Sequence, residues 1–303
     1  MLKAKKPEVI EKRPKLFFFG AAGVGKTRAA LQFGRNYHID CERGADNYAD
    51  LYAASNSVRL QTTDYDEVIE QLKSLATERH DFQTVTIDPI TVLETDLNMR
   101  SEDAIAAEFR AKDKSATEAA QLAVGDMRIW RNRDRSLRRL GNLLLALDMN
   151  VIVTAHSKIE YGEKMTKLGT TYDGWKRWIY LFDLALEIER RGTKTVAIVR
   201  KTRLEKFPDG EVFDFSYNVI RDRFGASVER EVKPVVLATK EQVAELNGLL
   251  EVVRLPEGTA DKWLTKAGVD CFDDMNADVI GKCIAYVKGL LPAPLPTTKG
   301  PAE

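Results

Sequence analysis

The chain has 303 residues, which is enough for one full α/β core and a smaller second unit. Its 46 basic and 46 acidic residues cancel to a formal net charge of zero, so any attraction to nucleic acid must come from local patches. No apolar run reaches the ~20 residues that span a bilayer, no signal-peptide core follows the N-terminus, and Cys41, Cys271 and Cys283 lack metal-ligand spacing. We therefore expect a cytoplasmic protein with reduced thiols and no membrane partner.

Apolar runs alternate with helical patterns through the first two-thirds of the chain, which predicts an α/β fold with a mainly parallel sheet flanked by helices. A helix is predicted at residues 27–34, and a long helical stretch fills residues 89–148 with a break near 112–115. Turn residues at 208–210 precede an alternating pattern that predicts a strand over 212–219, so we expect antiparallel hairpins at one edge. The other predicted strands span residues 15–19, 37–40, 85–88, 150–154, 184–189 and 195–200.

After about residue 235 the pattern changes to short amphipathic helices. Thr239 and Gln242 fit a capping box, and Asn276 is placed to cap a last helix. The tail is rich in proline and poor in apolar residues, so we expect it to be disordered. The predicted divisions are a basic N-terminal arm (1–14), an α/β core (15–235), a small helical domain (236–291) and the tail (292–303).

A phosphate-binding loop is the most specific motif. The segment from Gly20 to Thr27 matches GxxxxGK[ST] between a predicted strand and a predicted helix, where glycines let backbone N–H groups surround a phosphate and the helix N-terminus adds positive charge. We expect Lys26 to reach the β- and γ-phosphates and Thr27 to ligate Mg²⁺. The predicted nucleotide-binding residues are Gly20, Ala21, Ala22, Gly23, Val24, Gly25, Lys26 and Thr27.

Carboxylates follow two of the predicted strands. Asp88 ends a buried strand, where P-loop enzymes place a second group that holds the metal ion or its water. The glutamate that many P-loop ATPases carry directly after this aspartate is absent, because Pro89 stands there. Glu42 follows the second predicted strand and is our candidate for orienting or deprotonating water. Asp40 remains a competing candidate for that base.

The order of these motifs resembles that of RecA-like ATPases. Ile39-Asp40-Cys41-Glu42 ends the second predicted strand and Tyr48-Ala49 follows it, a later strand ends at His156, and another is followed by Lys201-Thr202-Arg203. Over about residues 15–220, the arrangement is most similar to the compact phage ATPases of the Sak-four group, RecA-like partners of single-strand annealing. RecA's own N-terminal oligomerisation helix has no evident counterpart.

The resemblance implies a role for each of these residues. It implies ATP as the nucleotide, Glu42 as the residue that positions water, and His156 as a γ-phosphate sensor in place of the family's usual Gln. It further implies that Lys201 and Arg203 reach into a neighbouring subunit's site, so that the active species is a homo-oligomer, either a filament or a ring. A phage-encoded protein of this kind would work in the cytoplasm of the bacterial host.

Local basic patches are the candidates for binding single-stranded DNA. Residues 127–139 hold six Arg against one Asp, and residues 158–178 hold five cations, three acids, two Tyr and two Trp. Cations suit the backbone of a single strand and aromatic rings suit its bases, although an arginine run can equally be a solvated helix face and the aromatics can pack a loop. The first fifteen residues, with six cations and two acids, are a third patch. The predicted contact residues are Arg131, Arg135, Lys158, Lys164, Lys167, Tyr172, Trp175, Lys176 and Arg177.

The leading hypothesis is an oligomeric, RecA-like ATPase that is stimulated by single-stranded DNA and assists phage recombination or annealing. A DnaB-like hexameric translocase or loader ATPase is an alternative, because it shares the Lys-x-Arg finger. A nucleotide-gated adaptor is another, in which the helical domain recruits an annealing or single-strand binding protein. A small-molecule kinase is disfavoured, because the sequence shows neither an arginine-rich lid nor an acceptor pocket.

Overall fold

The computed structural model describes residues 12–112, 114–163 and 166–291. Most of the predicted arm (1–11), the predicted tail (292–303) and Lys164 lie outside the described residues, as does the side chain of Lys167. The chain divides into two compact units between Pro234 and Val235. Within the described ranges, no helix is long and apolar enough to cross a membrane.

One mixed sheet forms the centre of the first unit. Its strands are β1 (Lys15–Gly20), β2 (Asn36–Asp40), β3 (Val58–Gln61), β4 (Thr84–Asp88), β5 (Asn150–Tyr161), β6 (Lys167–Tyr172), β7 (Leu184–Arg191), β8 (Lys194–Thr202) and β9 (Val212–Asp214). The order is β3-β2-β4-β5-β1-β7-β8-β9, and β6 pairs with β5 outside that path. The six neighbouring strands β3, β2, β4, β5, β1 and β7 run parallel, whereas β6, β8 and β9 pair antiparallel to their neighbours. The predicted fold class is confirmed.

Helices flank the sheet and fill the second unit. Those of the first unit are α1 (Lys26–Ala30), α2 (Ala49–Ser55), α3 (Tyr65–Thr77), α4 (Ile90–Arg110), α5 (Ala116–Val124), α6 (Met127–Ala146), α7 (Trp178–Leu181) and α8 (Tyr217–Phe224). The second unit contains α9 (Lys240–Val252), α10 (Thr259–Ala267) and α11 (Ala277–Lys288). In the second unit both predicted caps form, since Thr239 and Gln242 make a capping box and Asn276 accepts from Asp278 N–H.

The inner parallel strands are buried on both faces, as their continuous apolar sequences require. Every residue of β1 and of β4 is buried. The register pairs Gly20 with His156 across β1 and β5, and Asp40 with Asp88 across β2 and β4. The carboxyl ends of β1, β2 and β4 and the middle of β5 therefore meet at one edge of the sheet, which we call the nucleotide edge.

Several element predictions were wrong or incomplete. The helix expected over residues 27–34 ends at Ala30, and α2, α3 and β6 were not predicted. The strand expected over residues 212–219 ends at Asp214, and α8 follows because the Ser216 side chain caps it by accepting from Val219 N–H. The alternating aromatic residues fit the period of a strand. In the structure this segment is a helix, and it buries Ile220 in the core. Strand β3 was missed because its alternation of apolar and polar residues, Val58-Arg59-Leu60-Gln61, is only four residues long. The 89–148 stretch breaks a second time near Gly125, where Asp126 caps α6.

Candidate active site

The phosphate loop connects β1 to α1 in a conformation that needs glycine. Gly23 and Gly25 have φ angles of 74° and 102°, in the left-handed region that L side chains rarely adopt. A Cβ on Gly20 would lie 2.3 Å from the carbonyl oxygen of Ile188 on β7. The loop is thus shaped by its backbone and by close packing against the neighbouring strand, which is the arrangement that a phosphate cradle requires.

Lys26 is folded back onto this loop. Its side chain is largely buried, and Nζ donates to the carbonyl oxygens of Gly20 at 3.0 Å and Ala21 at 2.9 Å. Burial lowers the pKa of Lys26, while the charges of Asp88 and Glu42 oppose that shift. An ammonium has three N–H donors, and these two carbonyl oxygens accept from two of them. Phosphate oxygens can replace both carbonyl oxygens as acceptors.

Asp88 ends β4 as a buried carboxylate. It accepts from His38 Nε2 at 3.3 Å and from the hydroxyl of Thr154, and the hydroxyl of Thr27 is a further partner. Burial alone would raise the pKa of Asp88, but the hydrogen bonds and the charge of His38 outweigh it and hold that pKa below its usual range. Thr27 and Asp88 thus bring together a hydroxyl and an ionised carboxylate, oxygen ligands of the kind that Mg²⁺ prefers.

His38 is a member of this cluster that the sequence analysis missed. The imidazole on β2 is fully buried, with Nε2 facing Asp88 and Nδ1 hydrogen-bonded to the hydroxyl of Tyr52. Tyr52 has a raised pKa, chiefly because of burial and then because of Asp40, so its hydroxyl keeps its proton. A polar imidazole inside the apolar run Tyr37-His38-Ile39 was the available signal, since a buried histidine needs partners on neighbouring strands.

Asp40 and Glu42 occupy different environments. Asp40 is buried, forms an ion pair with Arg59 at 2.6 Å, and accepts from the backbone N–H groups of Glu42 and Ala45 at 3.2 and 3.3 Å. Its oxygens are therefore committed to holding the turn after β2. The side chain of Glu42 is 39% exposed, and its carboxylate accepts from no backbone N–H in the described chain, so this carboxylate is accessible.

The carboxylate of Glu42 meets His156 at the nucleotide edge. His156 Nε2 lies 2.9 Å from Glu42 Oε2, and both side chains are more than one-third exposed. His156 N–H donates to Thr91 Oγ1, and the carbonyl of His156 accepts from Asp173 N–H. The structure thus brings Lys26 and Thr27 at the start of α1, Glu42 after β2, Asp88 at the end of β4 and His156 in the middle of β5 to the same edge of the sheet.

Lys201 and Arg203 lie at the other edge of the sheet. Strand β8 is antiparallel to β7, and its register pairs Lys201 with Ala185 near the beginning of β7. Lys201 donates to the carbonyl of Phe182, and Arg203 donates to the carbonyl of Tyr180 and lies 3.6 Å from Asp183. Neither cation can therefore act at the phosphate loop of its own chain.

The segment that we predicted as a DNA-binding loop is largely a β-hairpin. The second half of β5 pairs with β6, and Lys158 is exposed and paired with Asp173 at 2.9 Å. Lys176 and Arg177 follow in an exposed turn. Tyr161, which reaches 51% exposure on β5, is the aromatic side chain that this hairpin presents to solvent.

The two aromatic residues that we predicted to stack on bases are buried. Trp175 is 5% and Tyr172 8% exposed. The ring of Tyr172 packs edge-on against Phe17 at 5.0 Å, and Trp175 packs against Trp178 at 5.4 Å. The prediction that Tyr172 and Trp175 contact DNA is corrected, because these rings cover the inner strand β1 and neighbouring core side chains instead.

The arginine-rich part of α6 is exposed. Arg131 and Arg135 lie on its surface, and within the described residues neither forms an ion pair. Trp130 is half exposed, with the guanidinium of Arg133 4.5 Å from its ring centre. By contrast, Arg128 is held by Asp126 and Glu108. The α6 surface thus offers unpaired cations beside a cation–aromatic pair.

Comparisons with known proteins identify the family of this chain. A family model described as an AAA domain matches residues 12–204, which include the phosphate loop, Glu42, Asp88, His156 and Lys201. The crystal structure of the RadB recombinase is similar at 17% identity and a TM-score of 0.37, covering 66% of this chain and 86% of that chain. No curated protein sequence matches significantly. Because the family match extends over more than half of its length, this chain belongs to the AAA domain family and is a P-loop ATPase.

Proposed function

We propose that the protein hydrolyses ATP with Mg²⁺ as a RecA-like, oligomeric ATPase that acts on single-stranded DNA in phage recombination or annealing. One observation supports this most directly. His156 contacts Glu42 beside the phosphate loop, and the same strand continues without a break into the β5–β6 hairpin. His156 and the candidate DNA surface therefore share one backbone segment.

Hydrolysis on this geometry begins with an exchange of partners at Lys26. The ammonium leaves the carbonyls of Gly20 and Ala21 and binds the β- and γ-phosphates. Thr27 and Asp88 would hold the Mg²⁺ ion, which supplies charge neutralisation at the phosphate oxygens when bound. Asp88 remains ionised for this purpose because His38 and Thr154 donate to it.

Glu42 is the proposed base for the attacking water. Its carboxylate is accessible, whereas that of Asp40 is bound by Arg59 and two backbone N–H groups. The water oxygen forms a bond to the γ-phosphorus as the bond to the β–γ bridging oxygen breaks, and the water proton passes to Glu42. His156, released from Glu42, donates a hydrogen bond to the γ-phosphate.

DNA binding is proposed on the hairpin and the adjoining turn. Lys158, Lys176 and Arg177 supply exposed cations for the phosphate backbone, and Tyr161 supplies an exposed ring for a base. Arg131 and Arg135 on α6 would extend this basic surface. Lys201 and Arg203, placed away from their own phosphate loop, are proposed to act on the nucleotide of a neighbouring subunit.

The test is ATP turnover with and without single-stranded DNA for wild type, Lys26→Ala and Glu42→Gln, with Glu70→Gln on the exposed face of α3 as the matched control. We expect DNA to stimulate wild type and the control, and both site variants to lose turnover. Binding of ATP without turnover under any condition would contradict the proposal and favour the nucleotide-gated adaptor. Negative-stain microscopy of the ATP-bound protein separates a filament from the closed ring of a DnaB-like translocase.

A further inference from the structure

A cavity lies near the sheet edge opposite to the nucleotide edge. It has a volume of about 380 Å³. Its lining comes from the segment before β1 and the first residue of that strand, from the end of α6 and the two residues after it, from the end of α7 and the residue before β7, and from Arg203 and Arg230. Its basic lining residues are Lys12, Arg13, Lys15, Arg203 and Arg230. Its acidic lining residues are Asp148 and Asp183. Basic side chains thus outnumber carboxylates in a partly enclosed space.

Arg13 and Arg230 are incompletely satisfied within this lining. Arg230 binds Asp148 through both carboxylate oxygens, and Arg13 donates to the carbonyls of Val228 and Arg230. Arg13 is almost fully buried, and its Nε lies 3.8 Å from Asp148, beyond hydrogen-bond distance. The buried Nε atoms of Arg13 and Arg230 donate to no acceptor in the described chain. Buried donors of this kind normally have a partner.

Two further cations face the cavity from exposed positions. Lys12 is exposed and forms no ion pair within the described residues, and Arg203 is 3.6 Å from Asp183. Asp148 is already occupied by Arg230 and by the backbone N–H of Lys233 at 2.9 Å. The carboxylates therefore do not neutralise the cluster.

Lys15 lines the cavity but is not free to bind a ligand. Its Nζ donates to the carbonyls of Leu144, Leu147 and Met149 at 2.7 to 3.0 Å, which uses all three ammonium donors. Burial is the main cause that lowers the pKa of Lys15 to about 7; Asp148 and Asp183 oppose it, and Arg13 and Arg230 add to it. Lys15 thus experiences repulsion from the two arginines beside it.

We propose that this cavity binds a phosphate-class anion, with the exposed Lys12 and Arg203 as the donors and the buried guanidinium groups of Arg13 and Arg230 as positive charge behind them. Guanidinium groups match the oxygens of phosphate geometrically, and an anion with three or four acceptor oxygens can serve donors from several side chains at once. The site is separate from the phosphate loop and does not depend on the proposed action on DNA. The anion comes either from free phosphate or from the nucleotide held by a second copy of this chain.

The test measures phosphate binding with the phosphate loop disabled. The Lys26→Ala chain is titrated with potassium phosphate against potassium chloride at constant ionic strength, and the melting temperature is followed. We expect a saturable rise, and an apparent Kd at least about ten-fold weaker when Lys12→Gln and Arg203→Gln are added. Arg79→Gln with Lys112→Gln, exposed cations elsewhere in the first unit, is the matched control and should leave the titration unchanged.

A variant with the opposite expected sign guards against structural damage. Asp183→Asn removes a competing carboxylate and should tighten phosphate binding several-fold. Equal phosphate affinity in the Lys12→Gln/Arg203→Gln and control chains, or no tightening in Asp183→Asn, overturns the proposal. Because the readout is phosphate affinity, such a failure leaves the ATPase and DNA proposals untouched.

Mixing two defective chains distinguishes the sources of the anion. Lys26→Ala has a defective phosphate loop and an intact cavity, whereas Lys12→Gln/Arg203→Gln has the reverse. Turnover restored by mixing them supports the nucleotide of a second copy as the ligand. Saturable phosphate binding without restored turnover supports free phosphate.

Discussion

The two edges of the central sheet both bury charged groups, but they stabilise them differently. At the nucleotide edge, charged and polar side chains bind one another or the loop itself: Lys26 binds the carbonyls of Gly20 and Ala21, and Glu42 binds His156. At the opposite edge, Lys15 is fixed by three backbone carbonyls at the end of α6. The first set can exchange its partners for a ligand's oxygens. The second set cannot do so without unfolding the helix end.

Burial of a charge therefore does not by itself mark a catalytic group. Lys15 is at least as enclosed as Lys26, yet only Lys26 lies in a loop whose glycines allow a phosphate to approach. The two lysines differ in their hydrogen-bond acceptors. Phosphate oxygens can replace the loop carbonyls bound by Lys26, whereas the carbonyls bound by Lys15 belong to the end of a helix and the residues after it. The following variants test that distinction.

The largest effect is expected for Glu42→Gln. Removing the accessible carboxylate eliminates the proton acceptor, so kcat should fall roughly 10²- to 10⁴-fold while ATP affinity changes little. Single-turnover kinetics with a nucleotide-binding assay measure both quantities. If Asp40→Asn lowered kcat as much without a change in stability, the base would be misassigned.

Trp175→Ala tests whether the aromatic residues below the hairpin belong to the core. Because Trp175 is buried against Trp178, truncation should lower the free energy of unfolding by about 3–5 kcal/mol. Urea denaturation followed by circular dichroism measures it, with the exposed Trp130→Ala as the control. A stable Trp175→Ala protein with weakened DNA binding would restore the stacking role that the structure removes.

Lys15→Met tests the fixed lysine. The substitution leaves three buried carbonyls without their donor, so we expect the free energy of unfolding to fall by about 1–3 kcal/mol. The affinity for ATP should stay within about two-fold of wild type, since this side chain lies away from the phosphate loop. A large decrease of ATP affinity in a folded Lys15→Met chain would remove the contrast between the two edges.

The smallest effect is expected for the exposed turn after β6. Lys176→Gln with Arg177→Gln should weaken single-stranded DNA binding and reduce the slope of log K against log salt by about 0.7 for each DNA phosphate that these cations no longer neutralise. The free energy of unfolding should not change, because both side chains are exposed. Fluorescence anisotropy at several salt concentrations measures the slope. An unchanged slope would move the DNA surface away from this turn.

The sequence predicted the nucleotide edge well because that edge is built from local motifs at strand ends. The glycine loop, the strand that ends at Asp88 and the mainly parallel sheet were predicted from the sequence. A parallel sheet brings the carboxyl ends of its strands together without further information. His38 was not recognised, since its partners Asp88 and Tyr52 are distant in sequence and meet only through strand pairing.

Side-chain exposure was the part that sequence patterns could not supply. Tyr172 and Trp175 lie among cations and glycines, a composition that suits a DNA loop as well as a hairpin packed on a core. Their burial depends on where β6 pairs with β5, and that pairing is set by the tertiary structure. The same limit applies to residues 215–219, where the alternation of aromatics fitted a strand until Ser216 capped a helix.

The unbroken length of β5 has a mechanical consequence. Its twelve residues span roughly 40 Å, at about 3.3 Å per residue, and His156 lies near the midpoint, where the strand leaves the buried sheet. The half of β5 before His156 is fixed in the buried sheet, so the half after His156 can tilt about that residue. A tilt of roughly 5° there would move Glu160 by about 1.1 Å, given the rise per residue. When the hydrogen bond between Glu42 and His156 breaks, we therefore expect the outer half of β5 to shift.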